Sequence, residues 1–253
     1  MQTKVICITN QKGGVRKSTT AANLAGALSQ NGYTVLLIDL DPQSGLTHSL
    51  GYDPYTLQKT IYNCLIDPDH VSLQEVLVET KIPRVFLAPA NLDLAAAEGE
   101  LIGEVGWDRI LSEIINGVKD QFGVIILDCP PSLGVLTSNA LSASHLALIP
   151  VQAEYLAMRS LKQLFNIVAK VKKRSNPGIT TKIFITMYDK RTLHSREILS
   201  ELQSVFPDLL CPITIQRTIK FADSAVAGVP LVMTDPTSEG AAAYLTLAKE
   251  IIK

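Results

Sequence analysis

The chain has 253 residues, 47% of them hydrophobic, with 23 Lys+Arg against 24 Asp+Glu and a formal net charge of −1. That length can bury one large core, and near-neutrality excludes a uniformly basic nucleic-acid binder while leaving room for a local basic face. Four cysteines without a CxxC spacing argue against a zinc ribbon or a disulfide scaffold and read as buried small hydrophobes in a reducing cytoplasm.

The first apolar run, residues 4–9, has the Val/Ile content of a buried parallel strand. Residues 11–19 follow, Gln-Lys-Gly-Gly-Val-Arg-Lys-Ser-Thr, and then an alanine-rich helical stretch over 20–29 that stops at Asn31-Gly32. A strand, a glycine turn and a Lys-Ser pair opening a helix make a phosphate cradle, because the turn's N–H groups and the positive end of the helix dipole converge. Lys17 then reaches the β/γ-phosphates and the Ser18 hydroxyl can ligate Mg²⁺. Gly13, Gly14, Val15 and Thr19 complete the cradle. The loop departs from GxxxxGK[ST]: Gln11 and Arg16 stand where its glycines would be, and Lys12 is an added lysine. Glycine permits φ > 0 and a close approach to phosphate. Arg16 must instead find an allowed conformation and point out of the cradle. It then turns outward with the cradle intact, or it distorts the loop and impairs phosphate binding.

Further strands are expected at 35–40, 84–88, 123–128, 145–150 and 182–187, with helices over 107–118, 156–171, 198–206 and 241–252. This alternation runs from residue 4 to 252 without a linker-like tract. It implies one α/β domain over 1–253, a doubly wound, mostly parallel sheet flanked by helices, with ligands outside the carboxyl ends of the strands. Asp39 and Asp41 close the second strand, where i and i+2 share a face, and Asp128 follows the apolar VIIL. Carboxylates beside a phosphate loop need Mg²⁺ and a nucleophilic water to justify their repulsion. Pro130-Pro131-Ser132 cannot continue a strand and turn the chain into a loop near the γ-phosphate.

Basic residues gather late. Lys170, Lys172, Lys173 and Arg174 close one helix, where cations complement the dipole; Lys190, Arg191 and Arg196 follow a strand; Arg217 and Lys220 come next. His48, His70, His145 and His194 show no ligand spacing. Neither a signal peptide nor an apolar run of transmembrane length is expected.

The two-lysine loop resembles the deviant Walker A motif, KGGxxK[ST], of the ParA/MinD family of ATPases. VLLIDLDPQ (35–43) looks like the family's second acidic motif, VIILDCPPS (124–132) like its Walker B, and PVQAEYL (150–156) and TMYDKRT (186–192) like the stretches after its later strands. IQRTIKFADSAVAGVPLV (215–232) looks like its C-terminal basic and nucleotide-base region. The resemblance implies a P-loop NTPase fold with ATP and Mg²⁺ as cofactors. Lys12 would reach across an ATP-sandwich homodimer, Asp41 would position the attacking water, and Asp39 and Asp128 would support the Mg²⁺ that Ser18 ligates. Arg16, turned outward, would face a dimer partner or solvent, and distortion of the loop would impair ATP binding or dimer closure. Tyr188, Asp189 and Pro230 would line the base pocket, and Arg217, Lys220, Lys190 and Arg191 would contact DNA without sequence preference. It also implies a ParB-like or cargo-adaptor partner that stimulates slow hydrolysis, and a cytoplasmic, nucleoid-associated location. A membrane-docking MinD-type role is the alternative, weighed down by the short amphipathic end at 245–253, which suggests no stable membrane anchor. A phosphotransferase or ligase and a hydrolysis-impaired scaffold are the others.

Overall fold

The computed structural model describes residues 3–154 and 157–252. Eight strands form one sheet: β1 (Lys4–Ile8), β2 (Val35–Asp39), β3 (Val78–Glu79), β4 (Val85–Ala88), β5 (Val124–Asp128), β6 (Leu146–Gln152), β7 (Thr180–Tyr188) and β8 (Leu210–Gln216). Their order is β3-β4-β2-β5-β1-β6-β7-β8, parallel throughout except for β3 against β4. The helices are α1 (Lys17–Gln30), α2 (Gly45–Ser49), α3 (Ile61–Ile66), α4 (Leu73–Val76), α5 (Leu94–Leu101), α6 (Ile110–Asn116), α7 (Val135–Ala143), α8 (Ala157–Arg174), α9 (Leu193–Val205), α10 (Lys220–Val226), α11 (Leu231–Thr234) and α12 (Glu239–Ile252).

Strand alternation divides the core into two layers. Val5, Cys7, Leu36 and Ile38 pack with Leu94, Leu111, Leu136 and Leu161 on one face. Ile6, Ile8, Val35 and Leu37 pack with Leu24, Leu28, Val232, Tyr244 and Leu247 on the other. The four cysteines are buried and free, and His145 accepts the backbone N–H of Val5 on Nδ1 at 2.9 Å, tying β6 to β1. Among the described residues no helix is long and apolar enough to cross a membrane.

Chain leaves β1 toward β2 on one side and reaches β6 on the other, so the topological switch lies at the carboxyl ends of β1 and β5. Register places Ile8 and Asp39 level with Asp128 there.

Several boundaries differ from expectation. Helix α1 begins at Lys17, not Thr20, because the glycine turn itself delivers the chain into helical geometry. Helix α6 starts three residues later than Trp107, which sits in a turn. Leu156, the expected first residue of α8, lies with Tyr155 and Lys253 outside the described residues. Helix α9 starts at Leu193, five residues early, because the Thr192 hydroxyl caps it by accepting from the Ser195 N–H.

Candidate functional site

The loop after β1 is built by local hydrogen bonds. Asn10 donates from Nδ2 to the Pro150 carbonyl at 2.8 Å and accepts the Lys12 N–H at 3.0 Å, fixing the loop to the end of β6. Thr186, on β7, donates to the Val15 carbonyl at 3.2 Å. Gly14 has φ 73°, and a Cβ placed on Gly13 or Gly14 would meet nothing within 4 Å, so the cradle is open on that side. Lys17, only 7% exposed, opens α1, where the dipole is positive. Ser18 follows, its hydroxyl so close to Gly45 that a Cβ there would lie 3.3 Å away.

Arg16 takes the left-handed conformation, φ 68° and ψ 38°. Its side chain does not extend into solvent, one of the two courses the sequence left open, but is anchored on its own chain. Nη2 donates to the Thr218 carbonyl at 3.1 Å, Nη1 approaches the Gln216 carbonyl at 3.5 Å, and the guanidinium lies 4.6 Å from the Phe221 ring centroid. The αL conformation costs about 1–2 kcal/mol for an L-residue, and a charged hydrogen bond and a cation–π contact offset it. Arg16→Ala keeps the backbone cost and loses both anchors, whereas Arg16→Gly loses the anchors but is relieved of that cost. The alanine variant is therefore expected to melt about 2–4 °C below the glycine variant, from a difference of about 1 kcal/mol. Equal melting temperatures in differential scanning calorimetry would show that the loop relaxes out of αL.

The carboxylates play different parts. Asp39 accepts the Thr47 N–H at 2.9 Å and hydroxyl at 2.7 Å on one oxygen, and the Asp41 N–H at 3.1 Å on the other. Burial nevertheless pushes it up to about 6. Asp41 lies beyond the end of β2 and ahead of Pro42, so the two do not share a strand face as expected: a residue before proline leaves the ladder, and the pair meets through that N–H instead. Asp41 accepts the Gln43 N–H at 2.9 Å. Asp128 is fully buried, and neither oxygen has a hydrogen-bond partner. Burial and then the Asp39 charge push it well above the carboxylate range, and Ser18 and Lys17 nearby draw it partly back. An orphaned carboxylate facing a lysine and a serine hydroxyl fits a hydrated divalent cation. Among the described residues no group of three or more His, Cys, Asp or Glu could hold a metal, so such an ion takes most of its ligands from nucleotide and water.

Lys12 lies across the loop, its ammonium paired with the Glu154 carboxylate and 3.2 Å from Gln152 Oε1. Glu154, within the PVQAEYL segment, is a partner that sequence reasoning missed. The turn after β5 runs against α5, where the Glu98 carboxylate lies over Gly134 and would have to swing aside for a Cβ there.

Tyr188 and Asp189 end β7 beside the loop, and the Arg217 N–H donates to the Tyr188 carbonyl at 3.1 Å. Asp189 is engaged by Arg191 through Nε at 2.9 Å and Nη2 at 2.8 Å, which holds its carboxyl at about 2. Pro230 is placed on a different element, against α1. It packs 3.3 Å from the Cβ position of Gly26, nine residues or about 14 Å along α1 from Lys17, because the missing Cβ there admits α11. Lys220 pairs with Asp235 at 2.7 Å.

This constellation, a two-lysine phosphate loop at the switch point of a parallel sheet with an aspartate closing the next strand, defines a P-loop nucleotide-binding protein. A family profile described as an AAA domain matches residues 3–181. Sporulation initiation inhibitor protein Soj of Bacillus subtilis is 39% identical over 249 residues, 98% of each chain. Chromosome partitioning protein ParA of Myxococcus xanthus is 36% identical over 99% of this chain and 88% of its own. A crystal structure described as cobyrinic acid a,c-diamide synthase of Mycobacterium smegmatis, with ADP and magnesium, superposes with a TM-score of 0.87 at 38% identity, covering 99% of this chain and 94% of that one. The chain belongs to the ParA/MinD family of P-loop ATPases.

Proposed function

We propose that this chain is a ParA/Soj-like partition ATPase: it closes as a homodimer on Mg-ATP, binds DNA without sequence preference, and lets go when a partner of ParB or cargo-adaptor type stimulates slow hydrolysis. The observation that carries this is the placement of the two-lysine loop against the segment bearing Arg217, which Arg16 joins directly. Relatives named for chromosome partitioning, and the Mycobacterium smegmatis structures with ADP or an ATP analogue and magnesium, support it.

In this reading Lys17 and the N–H groups of residues 13–19 hold the phosphates, and Ser18 with Asp128 would hold Mg²⁺, which neutralises charge on the transferred phosphoryl group. Asp39, its oxygens hydrogen-bonded within the chain, positions the loop carrying Asp41, and Asp41 orients the water. Lys12 leaves Glu154 to meet the partner's nucleotide. Tyr188 is the base-lining residue the geometry favours. Arg217, Lys190, Arg191 and Lys220 supply phosphate contacts, two of them once freed from Asp189 and Asp235. One domain acting in the cytoplasm at the nucleoid fits these roles.

Binding to random-sequence duplex DNA is expected with Mg-ATP and not with Mg-ADP or no nucleotide, and to weaken steeply with salt. Nucleotide-independent binding would favour a scaffold, and binding to liposomes in place of DNA a MinD-type role. The name of the Mycobacterium smegmatis relative favours a second reading, a ligase: ATP turnover that requires added cobyrinic acid would support it, and phosphate release without any acceptor would remove it.

A further inference from the structure

Helix α8 carries six Lys or Arg in 18 residues and no Asp or Glu. At about 100° per residue, Arg159, Lys162, Gln163, Asn166, Lys170 and Lys173 fall in one sector about 100° wide, and all are exposed. The opposite face, Leu161, Leu164, Val168 and Val171, is buried in the core. Among the described residues none of these basic side chains joins an ion pair.

Helix stability does not account for this stripe. The dipole favours Lys172, Lys173 and Arg174 in the last turn, but it opposes Arg159 in the first turn and gives Lys162 nothing. Like charges at i,i+3, Arg159 with Lys162 and Lys170 with Lys173, repel without an acid to relieve them. A surface held at such cost is suited to a polyanion. From Arg159 to Lys173 the stripe runs about 21 Å, which spans about six base-pair steps of duplex along its axis. Gln163 and Asn166 add neutral donors that suit phosphate oxygens. The buried apolar face leaves α8 nothing to insert into a bilayer.

We propose that the exposed face of α8 docks on the phosphate backbone of duplex nucleic acid, as a contact surface separate from the β8–α10 segment. This rests on the DNA-binding part of the function proposed above. The test compares the full chain with its Lys162→Gln/Lys170→Gln/Lys173→Gln variant, by fluorescence anisotropy on a random-sequence duplex with Mg-ATP over a series of salt concentrations. The variant is expected to bind about 10-fold or more weakly and to flatten the slope of log K against log salt by about 2–3, with its circular dichroism and DNA-free ATP turnover unchanged. Unchanged affinity and slope in the variant, while the parent binds duplex, would overturn the α8 surface and leave the DNA reading standing. A parent that binds no duplex in any nucleotide state would overturn both. Loss of binding to phosphatidylglycerol vesicles with duplex binding intact would overturn it in favour of lipid.

Discussion

Lys17→Gln is expected to weaken Mg-ATP binding by about 100-fold or more, close to 3 kcal/mol. Lys17 is buried to 7% exposure at the first position of α1 and is the cation whose field reaches Asp128. A charge-assisted hydrogen bond to phosphate contributes about 1.5–3 kcal/mol. Its removal also leaves incoming phosphates to meet the carboxylates of Asp39 and Asp128 with that compensation gone. Glutamine keeps the length and polarity of the side chain, so folding is retained. Titration calorimetry measures the loss directly. Affinity within threefold of the parent would mean that backbone N–H groups and Lys12 suffice to hold the nucleotide.

Asp128→Asn is expected to do two opposite things. ATP hydrolysis in Mg²⁺ falls about 100-fold or more, because the orphaned carboxylate is the group positioned to support the hydrated ion. The metal-free protein becomes more stable at neutral and alkaline pH, read as a higher melting temperature than the parent's. A carboxyl raised by burial holds its proton in the folded state at a pH where the unfolded chain has lost it. Parent stability therefore declines as pH rises from about 4, through the value near 6 of Asp39 and on toward that of Asp128. Asparagine removes one of the two ionisations, so the variant's advantage is small at pH 5 and grows toward pH 9. Thermal melts across that range, with phosphate release measured in parallel, check both arms. A variant that turns over ATP, or whose advantage shrinks with rising pH, would remove Asp128 from the role.

The sequence made the centre of the sheet and its loop legible for a physical reason. Strands β1, β2 and β5 are buried on both faces and read as short apolar runs without a break, β6 reads so up to Pro150, and the phosphate loop is a local motif. Strand β8 was missed because its burial alternates along the sheet edge and Pro212 sits near its start, leaving no continuous apolar run. Short helices such as α2, α10 and α11 offer too few turns for a period to show. At the candidate site, the placement of Lys17 and Ser18 at the opening of a helix and of Asp128 at the end of a strand was readable from the strand–turn–helix pattern. The different fates of Asp39 and Asp128 were not, since Thr47 holds one through two hydrogen bonds while the other only faces Ser18 and Lys17. The partner of Arg16 lies 202 residues away, and no local pattern reports a contact of that span.

That span also orders events during synthesis. The loop and α1 are made early, yet Arg16 closes on Gln216, Thr218 and Phe221, Asn23 accepts the Val232 N–H at 3.1 Å, and Thr20 bonds to the Tyr244 hydroxyl at 3.0 Å. At about 5–20 residues per second a ribosome needs roughly 10–40 s to make the chain between them. For that interval the nascent loop lacks the contacts that hold its helix, and they can form only once residue 244 has been made.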